Sequence, residues 1–147
     1  MKLVVQRVSH ASVEVEGRIT GEIEQGLMVL VGFGQNDTTR EADYLARKLA
    51  KLRIFEDENG RMNKSTIDIG AKLLLVPQFT LYAHTKKNRP SFHKALAPDK
   101  AEELFGYFAD KCREHVGVET GVFGAFMKVD LLNNGPVTIL LEKEFES

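Results

Sequence analysis

The sequence has 147 residues, of which 43% are hydrophobic and 28% charged, as expected for one globular domain spanning residues 1–147 with its own core. With a formal net charge of -1 the chain is not basic overall, so a surface that binds nucleic acid would have to be a local patch of positive charge. The single Cys112 excludes an intrachain disulfide or a cysteine-rich metal site, and no apolar run reaches membrane length, so we expect a cytoplasmic protein without a membrane partner.

The first part of the chain is predicted to form strands. Residues 2–8 form an apolar strand, and residues 12–16 alternate apolar and polar side chains before a turn at Gly17-Arg18. The alternation resumes over residues 19–23, which indicates a β-hairpin. Residues 27–33 are a continuous apolar strand.

Two helices are predicted, each inserted singly between strands. Thr38 and Glu41 have the spacing of a capping box, which starts the first helix. Pro98 suits the first position of the second helix, and Gly117 is expected to stop it. The buried faces follow from the helical period: Ala42, Leu45, Ala46 and Leu49 in the first, and Ala101, Leu104, Phe105, Phe108 and Cys112 in the second.

The most informative stretch is residues 73–83. It begins with four apolar residues and is interrupted by Pro77, which lacks a backbone N–H and therefore suits a strand end or a bulge. Gln78 and Thr80 follow inside an otherwise apolar run, and polar groups in a core need partners or a ligand. The wall of a ligand site is one interpretation. A core strand that ends in a hydrogen-bonded threonine is the other, and these residues alone favour it.

Near the C-terminus, residues 127–132 and 137–141 are predicted strands joined by a turn. The Gly135-Pro136 step in this turn is a natural place for a cis peptide bond, and glycine allows a backbone to approach a ligand closely. A plain hairpin turn is the alternative. Hairpin-linked strands with two inserted helices predict an α+β fold with an antiparallel sheet or a partly closed β-barrel.

Positively charged side chains are concentrated directly after the stretch of residues 73–83. Residues 69–98 contain no Asp or Glu but include Lys86, Lys87 and Arg89. Such side chains near a cleft hold phosphates, whereas a solvated basic loop is the alternative. The histidines, His10, His84, His93 and His115, show no metal-ligand spacing, so we expect no metal.

Two motifs together resemble the paired signature of the D-aminoacyl-tRNA deacylases. Residues 77–81 read Pro-Gln-Phe-Thr-Leu where that family usually has Ser-Gln-Phe-Thr-Leu, and residues 133–138 fit its Asn-x-Gly-Pro-x-Thr. Four shorter segments also fit: residues 6–8, 52–55, 89–92 and 120–123. Pro77 is a departure. A related animal branch has Pro-Gln-Ala-Thr and tolerates a mischarged L-alanine, but Phe79 matches the D-specific pattern.

The resemblance implies a homodimer with the fold of the D-aminoacyl-tRNA deacylases that works without a metal or cofactor. Its reaction is hydrolysis of the ester that joins a D-amino acid, or glycine, to the terminal adenosine of tRNA, with rejection of L-aminoacyl-tRNA. Gly135-Pro136 of one subunit would enter the pocket of the other, and Arg7 would brace it, although a surface ion pair is an alternative for Arg7.

The chemistry that this implied reaction needs suggests roles for the remaining site residues. Backbone N–H groups of Phe79 and Thr80 would form the oxyanion site, with Gln78 and Thr80 orienting the ester. Phe123 would stack on the terminal adenine. Whether Thr80 is a nucleophile stays open; we favour attack by water assisted by the ribose 2′-hydroxyl.

A non-catalytic nucleic-acid-binding module is the rival hypothesis. It needs only Lys86, Lys87, Arg89 and Phe92. It does not explain the polar residues within residues 73–83 or the Gly135-Pro136 step. We expect tRNA rather than DNA as the partner.

Overall fold

The structure is a computed structural model that describes residues 1–146. Its elements follow one another in the order β1 Lys2–Val15, β2 Arg18–Ile23, β3 Gly26–Gly32, α1 Thr39–Lys51, β4 Phe55–Glu56, β5 Met62–Lys64, α2 Thr66–Ile69, β6 Lys72–Pro77, a 3₁₀ helix Phe79–Tyr82, α3 Pro98–Arg113, β7 Gly117–Thr120 and β8 Lys128–Glu142. The predicted α+β class is confirmed, with a nearly closed, barrel-like sheet.

The long strand β1 organises the sheet, because it has partners along both sides. On one side its first half pairs with β3 and its second half with β2, and on the other side it pairs with β8, all antiparallel. The predicted hairpin of β1 and β2 is confirmed. Its turn residues Glu16 and Gly17 have φ of +50° and +80°, as a two-residue hairpin turn requires.

The other half of the sheet is parallel, which the sequence did not predict. Strand β6 pairs in parallel with β3 and with β7. Parallel neighbours need long crossover connections, and the helices α1, α2 and α3 lie in these connections. Gly21 of β2 lies so close to Thr120 of β7 that a Cβ would be 2.7 Å from the Thr120 carbonyl oxygen, so the sheet curls nearly onto itself.

Two hydrophobic cores lie on the two faces of the sheet. Leu73 and Leu75 of β6 belong to the core that packs against α1 and α3, while Leu74 and Val76 belong to the core inside the curled sheet. Both predicted helix faces are buried, and the Thr38–Glu41 capping box is present. The short helix α2 was missed, although Ser65 and Asp68 form a capping box at its start.

The predicted hairpin near the C-terminus is wrong. Strand β8 is one long strand, and both of its halves pair with β1, so that Ile139 faces Val5 and Val129 faces Val13. Between the halves the register shifts near Asn133, and the residues that follow bulge out of the ladder. Strand β1 is long enough to pair with both halves, so the chain does not need to turn back.

Candidate active site

A cavity of about 580 Å³ opens where β6 ends. Its walls come from four parts of the chain: Val31 and Phe33; Val76, Pro77, Gln78 and Phe79; Phe92, Ala95, Leu96, Ala97, Pro98 and Ala101; and Phe123, Gly124, Ala125, Phe126, Met127 and Val129. Within the described residues 1–146, the wall includes no charged side chain, and Gln78 contributes its only polar one. The cavity is therefore suited to a ligand held by shape and backbone groups.

Free backbone N–H groups arise at the cavity because of how β6 ends. Pro77 is the last residue of the strand, and the Gln78 N–H still donates to the Val31 carbonyl at 2.8 Å. The chain then enters the 3₁₀ helix, whose first N–H groups have no preceding turn to bond to. Within residues 1–146, the N–H groups of Phe79 and Thr80 donate to no acceptor. Two neighbouring free donors can bind an oxyanion.

The side chains of Gln78 and Thr80 are held together. The Gln78 amide donates to the Thr80 hydroxyl, so these two polar side chains are each other's partners. Gln78 lines the cavity, whereas Thr80 is exposed and stands outside its wall. No histidine, lysine or carboxylate within residues 1–146 hydrogen-bonds to the Thr80 hydroxyl. Thr80 therefore lacks the partner that activates a nucleophilic hydroxyl.

Aromatic rings form much of the apolar wall. Phe79 is 58% exposed, and its ring packs edge to face against Phe92 with 5.1 Å between ring centroids. Phe123 is half-buried and tilted against Phe105 of α3, 6.4 Å away. The cavity thus contains the predicted Phe79 and Phe123. It also contains Phe92, which the sequence analysis placed in a segment that fits the family and in the rival hypothesis, without a role at the active site.

The predicted phosphate-binding residues lie on a loop that precedes Phe92 in the chain. The backbones of His84 and Ser91 exchange two hydrogen bonds, of 2.7 and 2.9 Å, which close a loop over residues 85–90. Lys86, Lys87 and Arg89 are exposed on this loop and form no salt bridge with any residue in the described part of the chain. Phe92 directly follows the loop closure and lines the cavity, so the loop is anchored at the cavity wall.

Gly135, Pro136 and Arg7 form a separate cluster. The Gly135-Pro136 bond is cis, as predicted, and neither residue lines the cavity of its own chain. Arg7 is buried; its Nε donates to the Asn134 carbonyl and its Nη1 to the Ile54 carbonyl, both at 2.8 Å. Its carboxylate contact is with exposed Glu56 at 3.9 Å, so Arg7 chiefly braces the Gly-Pro segment of its own chain.

The bulge that carries Gly135-Pro136 is closed by one side chain. The Asn133 Oδ1 accepts a hydrogen bond from the Val137 N–H at 2.8 Å, and its Nδ2 donates to the Val137 carbonyl at 3.2 Å. Pro136 is left exposed on this braced bulge. The structure therefore brings Gln78, Phe79 and Phe123 together, and presents Gly135-Pro136 elsewhere on the surface.

Residues 1–146 contain no cluster of potential metal ligands and no helix suited to crossing a membrane. No group of three or more His, Cys, Asp or Glu side chains in this range is arranged to hold a metal ion. None of the helices there has both the length and the apolar character that a membrane crossing requires.

The sequence of the chain matches a known family of enzymes that deacylate aminoacyl-tRNA. A family model described as D-Tyr-tRNA(Tyr) deacylase matches residues 4–142. The chain belongs to the D-aminoacyl-tRNA deacylase family, which confirms the resemblance predicted from the motifs and the enzyme class, an aminoacyl-tRNA ester hydrolase acting on D-aminoacyl-tRNA.

Individual relatives agree over nearly the whole chain. The chain is 57% identical to a D-aminoacyl-tRNA deacylase of Koribacter versatilis, with 99% of each protein covered, and 50% identical to one of Thermosipho melanesiensis, with 98% of each covered. A solved structure titled c-Myc DNA Unwinding Element Binding Protein is 42% identical with a TM-score of 0.94, covering 99% of this chain and 100% of that one. A probable eukaryotic D-amino acid tRNA deacylase shares the fold, with a TM-score of 0.83 at 18% identity and 95% and 97% coverage.

Proposed function

We propose that the cavity at the end of β6 holds the aminoacylated adenosine of D-aminoacyl-tRNA, or of mischarged glycyl-tRNA, and that water cleaves the ester there. The observation that carries this proposal is the pair of free N–H groups, at Phe79 and Thr80, beside a wall without charged side chains. An aminoacyl ester is already activated, so positioning and stabilisation of the developing oxyanion are the main requirements.

The attacking group is water rather than Thr80. Within residues 1–146 the Thr80 hydroxyl has Gln78 as its only side-chain partner, and an amide does not remove a proton. The neighbouring ribose 2′-hydroxyl of the substrate is placed to assist the water. Gln78 and Thr80 then orient the ester, and Phe123 stacks on the adenine.

Discrimination between D and L substrates requires rigid geometry around the α-carbon, because the two enantiomers have the same hydrophobic surface. The braced Gly135-Pro136 backbone supplies such a wall, since it cannot swing away as a side chain can. Glycine has no side chain to be rejected, so glycyl-tRNA is accepted as well.

A second copy of the chain is needed to complete this site. Gly135-Pro136 does not reach its own cavity, and β8 has a free edge with exposed Leu132 and Leu140 on either side of the bulge. A two-fold homodimer formed through this face would place each Gly-Pro segment in the partner's cavity. The cytoplasmic location expected from the sequence stays a prediction.

Deacylation of D-tyrosyl-tRNA and L-tyrosyl-tRNA tests the proposal directly. The parent protein should release D-tyrosine and leave the L-ester intact, and glycyl-tRNA should be cleaved in the same assay. A protein that cleaves both tyrosyl esters equally would contradict the chiral wall. Failure to cleave any of the three would contradict hydrolysis.

A nucleic-acid-binding function without catalysis is the second candidate. It is supported by the exposed Lys86, Lys87 and Arg89 and by a structural relative whose name includes DNA binding. Tight binding of duplex DNA containing an unwinding element, without turnover of any aminoacyl ester, would favour it over the deacylase.

A further inference from the structure

Phe126 stands out because it is an aromatic residue left in water at the rim of the cavity. It is 86% exposed, the highest value among the exposed large hydrophobic residues of the described chain. The turn before it is well defined: the Ala125 N–H donates to the Val122 carbonyl at 3.2 Å, and Gly124 has φ of +78°. The exposed ring is therefore presented by a defined turn rather than by a loose loop.

The same turn carries two aromatic rings in different surroundings. Phe123 is half-buried against Phe105, whereas Phe126 faces solvent, and both rings line the one cavity. The cavity thus has an inner and an outer aromatic surface. A ligand with two successive flat groups would use both.

One segment of the chain keeps negative charge away from half of the cavity wall. Half of the lining residues come from residues 69–98, which contain no Asp or Glu, and the exposed Lys94 follows Phe92 by two positions in the sequence, although it is not part of the wall. Flat rings joined by a phosphate have the matching chemistry, and single-stranded nucleic acid binds proteins through this combination.

We propose that Phe126 stacks on the base of the nucleotide that precedes the terminal adenosine of tRNA. This rests on the proposed function, in which Phe123 takes the adenine. In tRNA the preceding nucleotide is a single-stranded cytidine, so its face is free to stack. Stacking is tolerant of base identity because every base has a π face, so Phe126 contributes affinity for the 3′ end rather than selection among tRNAs.

Binding of short RNA tests the proposal without catalysis. The probes are adenosine 5′-monophosphate and the dinucleotide CpA, titrated into the parent and into Phe126→Leu and Phe126→Trp. We expect the parent to bind CpA more tightly than the mononucleotide. Leucine at position 126 should weaken CpA binding by about fivefold to a hundredfold, the range of one base stack, and leave the mononucleotide unchanged. Tryptophan should restore CpA binding.

Kinetics give a second readout. Phe126→Leu should raise KM for D-tyrosyl-tRNA by a similar factor, with kcat and the hydrolysis of D-tyrosyl-adenosine unchanged, because that small substrate has no preceding nucleotide. Met62→Ala, at a residue 53% exposed on β5 and outside the cavity wall, is the matched control and should change neither substrate.

Two results would overturn the proposal: an equal loss for mononucleotide and dinucleotide, or unchanged CpA binding in Phe126→Leu. Unchanged CpA binding together with weakened self-association would assign Phe126 to contact between copies. Failure of the proposed function is a different result. It appears as no cleavage of D-tyrosyl-adenosine or D-tyrosyl-tRNA by the parent, and the binding comparison then still decides the role of Phe126.

Discussion

Gly135 and Val137 lie so close together that a Cβ on Gly135 would be 2.7 Å from the Val137 Cγ2 atom and 2.8 Å from its backbone nitrogen. Gly135 also has φ of +154°, which side chains rarely adopt. The bulge of β8 therefore requires glycine for two separate reasons, crowding and backbone conformation. On the other side, the Arg7 Nη2 would be 3.3 Å from that Cβ.

Gly135→Ala should therefore destabilise the protein more than a substitution at another glycine of positive φ. Gly17 is the matched control, because it has φ of +80° and a Cβ added there would meet nothing within 4 Å. We expect a loss in the free energy of unfolding of about 1 kcal/mol for Gly17→Ala and about 2–4 kcal/mol for Gly135→Ala. Urea unfolding measures both. Equal losses would contradict the crowding argument, and the ratio of D to L hydrolysis should fall only in Gly135→Ala.

The leucines on β8 test the assembly. Leu132→Glu with Leu140→Glu adds charge to both sides of the bulge, so a homodimer formed through this face should dissociate, as sedimentation velocity can measure. Deacylation of D-tyrosyl-tRNA should fall with it, because each cavity loses the partner's Gly-Pro segment. Ile19→Glu on β2, another exposed apolar residue, is the control and should leave assembly intact. A fully active monomer would refute the shared site.

Glu41, at the start of α1, makes the stability of the protein depend on pH. Burial of this carboxyl acts to raise its pKa, but hydrogen bonds from the Thr38 N–H and hydroxyl and from the Phe145 N–H outweigh it and lower the pKa below its ordinary value. A lowered folded-state pKa stabilises the protein above the unfolded value, and this stabilisation is lost as pH falls through the folded-state pKa.

Glu41→Gln should remove that dependence. The variant should lose roughly 1 kcal/mol in the free energy of unfolding at pH 7, since an amide is a weaker acceptor than a carboxylate. From the unfolded-state pKa down to the lowered folded-state pKa, its stability should then fall less steeply than that of the parent, as thermal unfolding at a series of pH values measures. An exposed glutamate of α3, in Glu102→Gln, supplies the control. Parallel pH profiles for the parent and Glu41→Gln would show that the capping box does not titrate as described.

Local features were predictable from the sequence, but strand partners were not. The Thr38–Glu41 box, the Pro98 helix start and the Gly17 hairpin turn depend on residues a few positions apart, so their spacing identified them. Periodicity identified β6 as a strand but contains no information on its neighbours, so its two parallel pairings were missed. For β8, the Gly135-Pro136 step predicted a turn between two strands. The sequence does not show that β1 is long enough to pair with both halves of one long strand.

The site was predicted from the resemblance of two motifs rather than from the apolar run itself, which alone favoured a core strand. Gln78 lies in one wall of the cavity, whereas Thr80 stands outside it. The other walls come from β3 and Phe33, from residues 92–97 and the start of α3, and from residues 123–129, whose approach to β6 depends on the fold. Phe126 and Met127 were therefore missed; the sequence shows that an aromatic residue follows the Gly-x-Phe-Gly segment, but its exposure depends on the fold.

The basic loop should determine how tRNA binding depends on salt. Neutralising Lys86, Lys87 and Arg89 to Gln removes up to three phosphate interactions. The slope of log K against log salt should then flatten by about 0.7–0.9 for each phosphate that is no longer neutralised, measured by filter binding across salt concentrations. The control neutralises Arg47, Lys48 and Lys51, which make the same charge change on α1, outside the cavity wall. An unchanged slope in the loop variant would assign these residues to a solvated surface.

Substitution of Thr80 distinguishes a covalent reaction scheme from one in which water attacks the ester. Thr80→Val removes the hydroxyl but keeps the shape, and the backbone N–H groups of Phe79 and residue 80 stay in place. If the threonine only helps Gln78 to orient the ester, kcat should fall by about tenfold or less, whereas loss of a nucleophile costs on the order of 10⁴-fold or more. Single-turnover deacylation of D-tyrosyl-tRNA measures the rate, and Thr80→Ser, which keeps the hydroxyl, should be close to the parent. Because no base contacts Thr80 within residues 1–146, rapid quenching should trap no acyl-enzyme in the parent. A trapped acyl-threonine, or a folded and tRNA-binding Thr80→Val without activity, would replace the water mechanism with a covalent one.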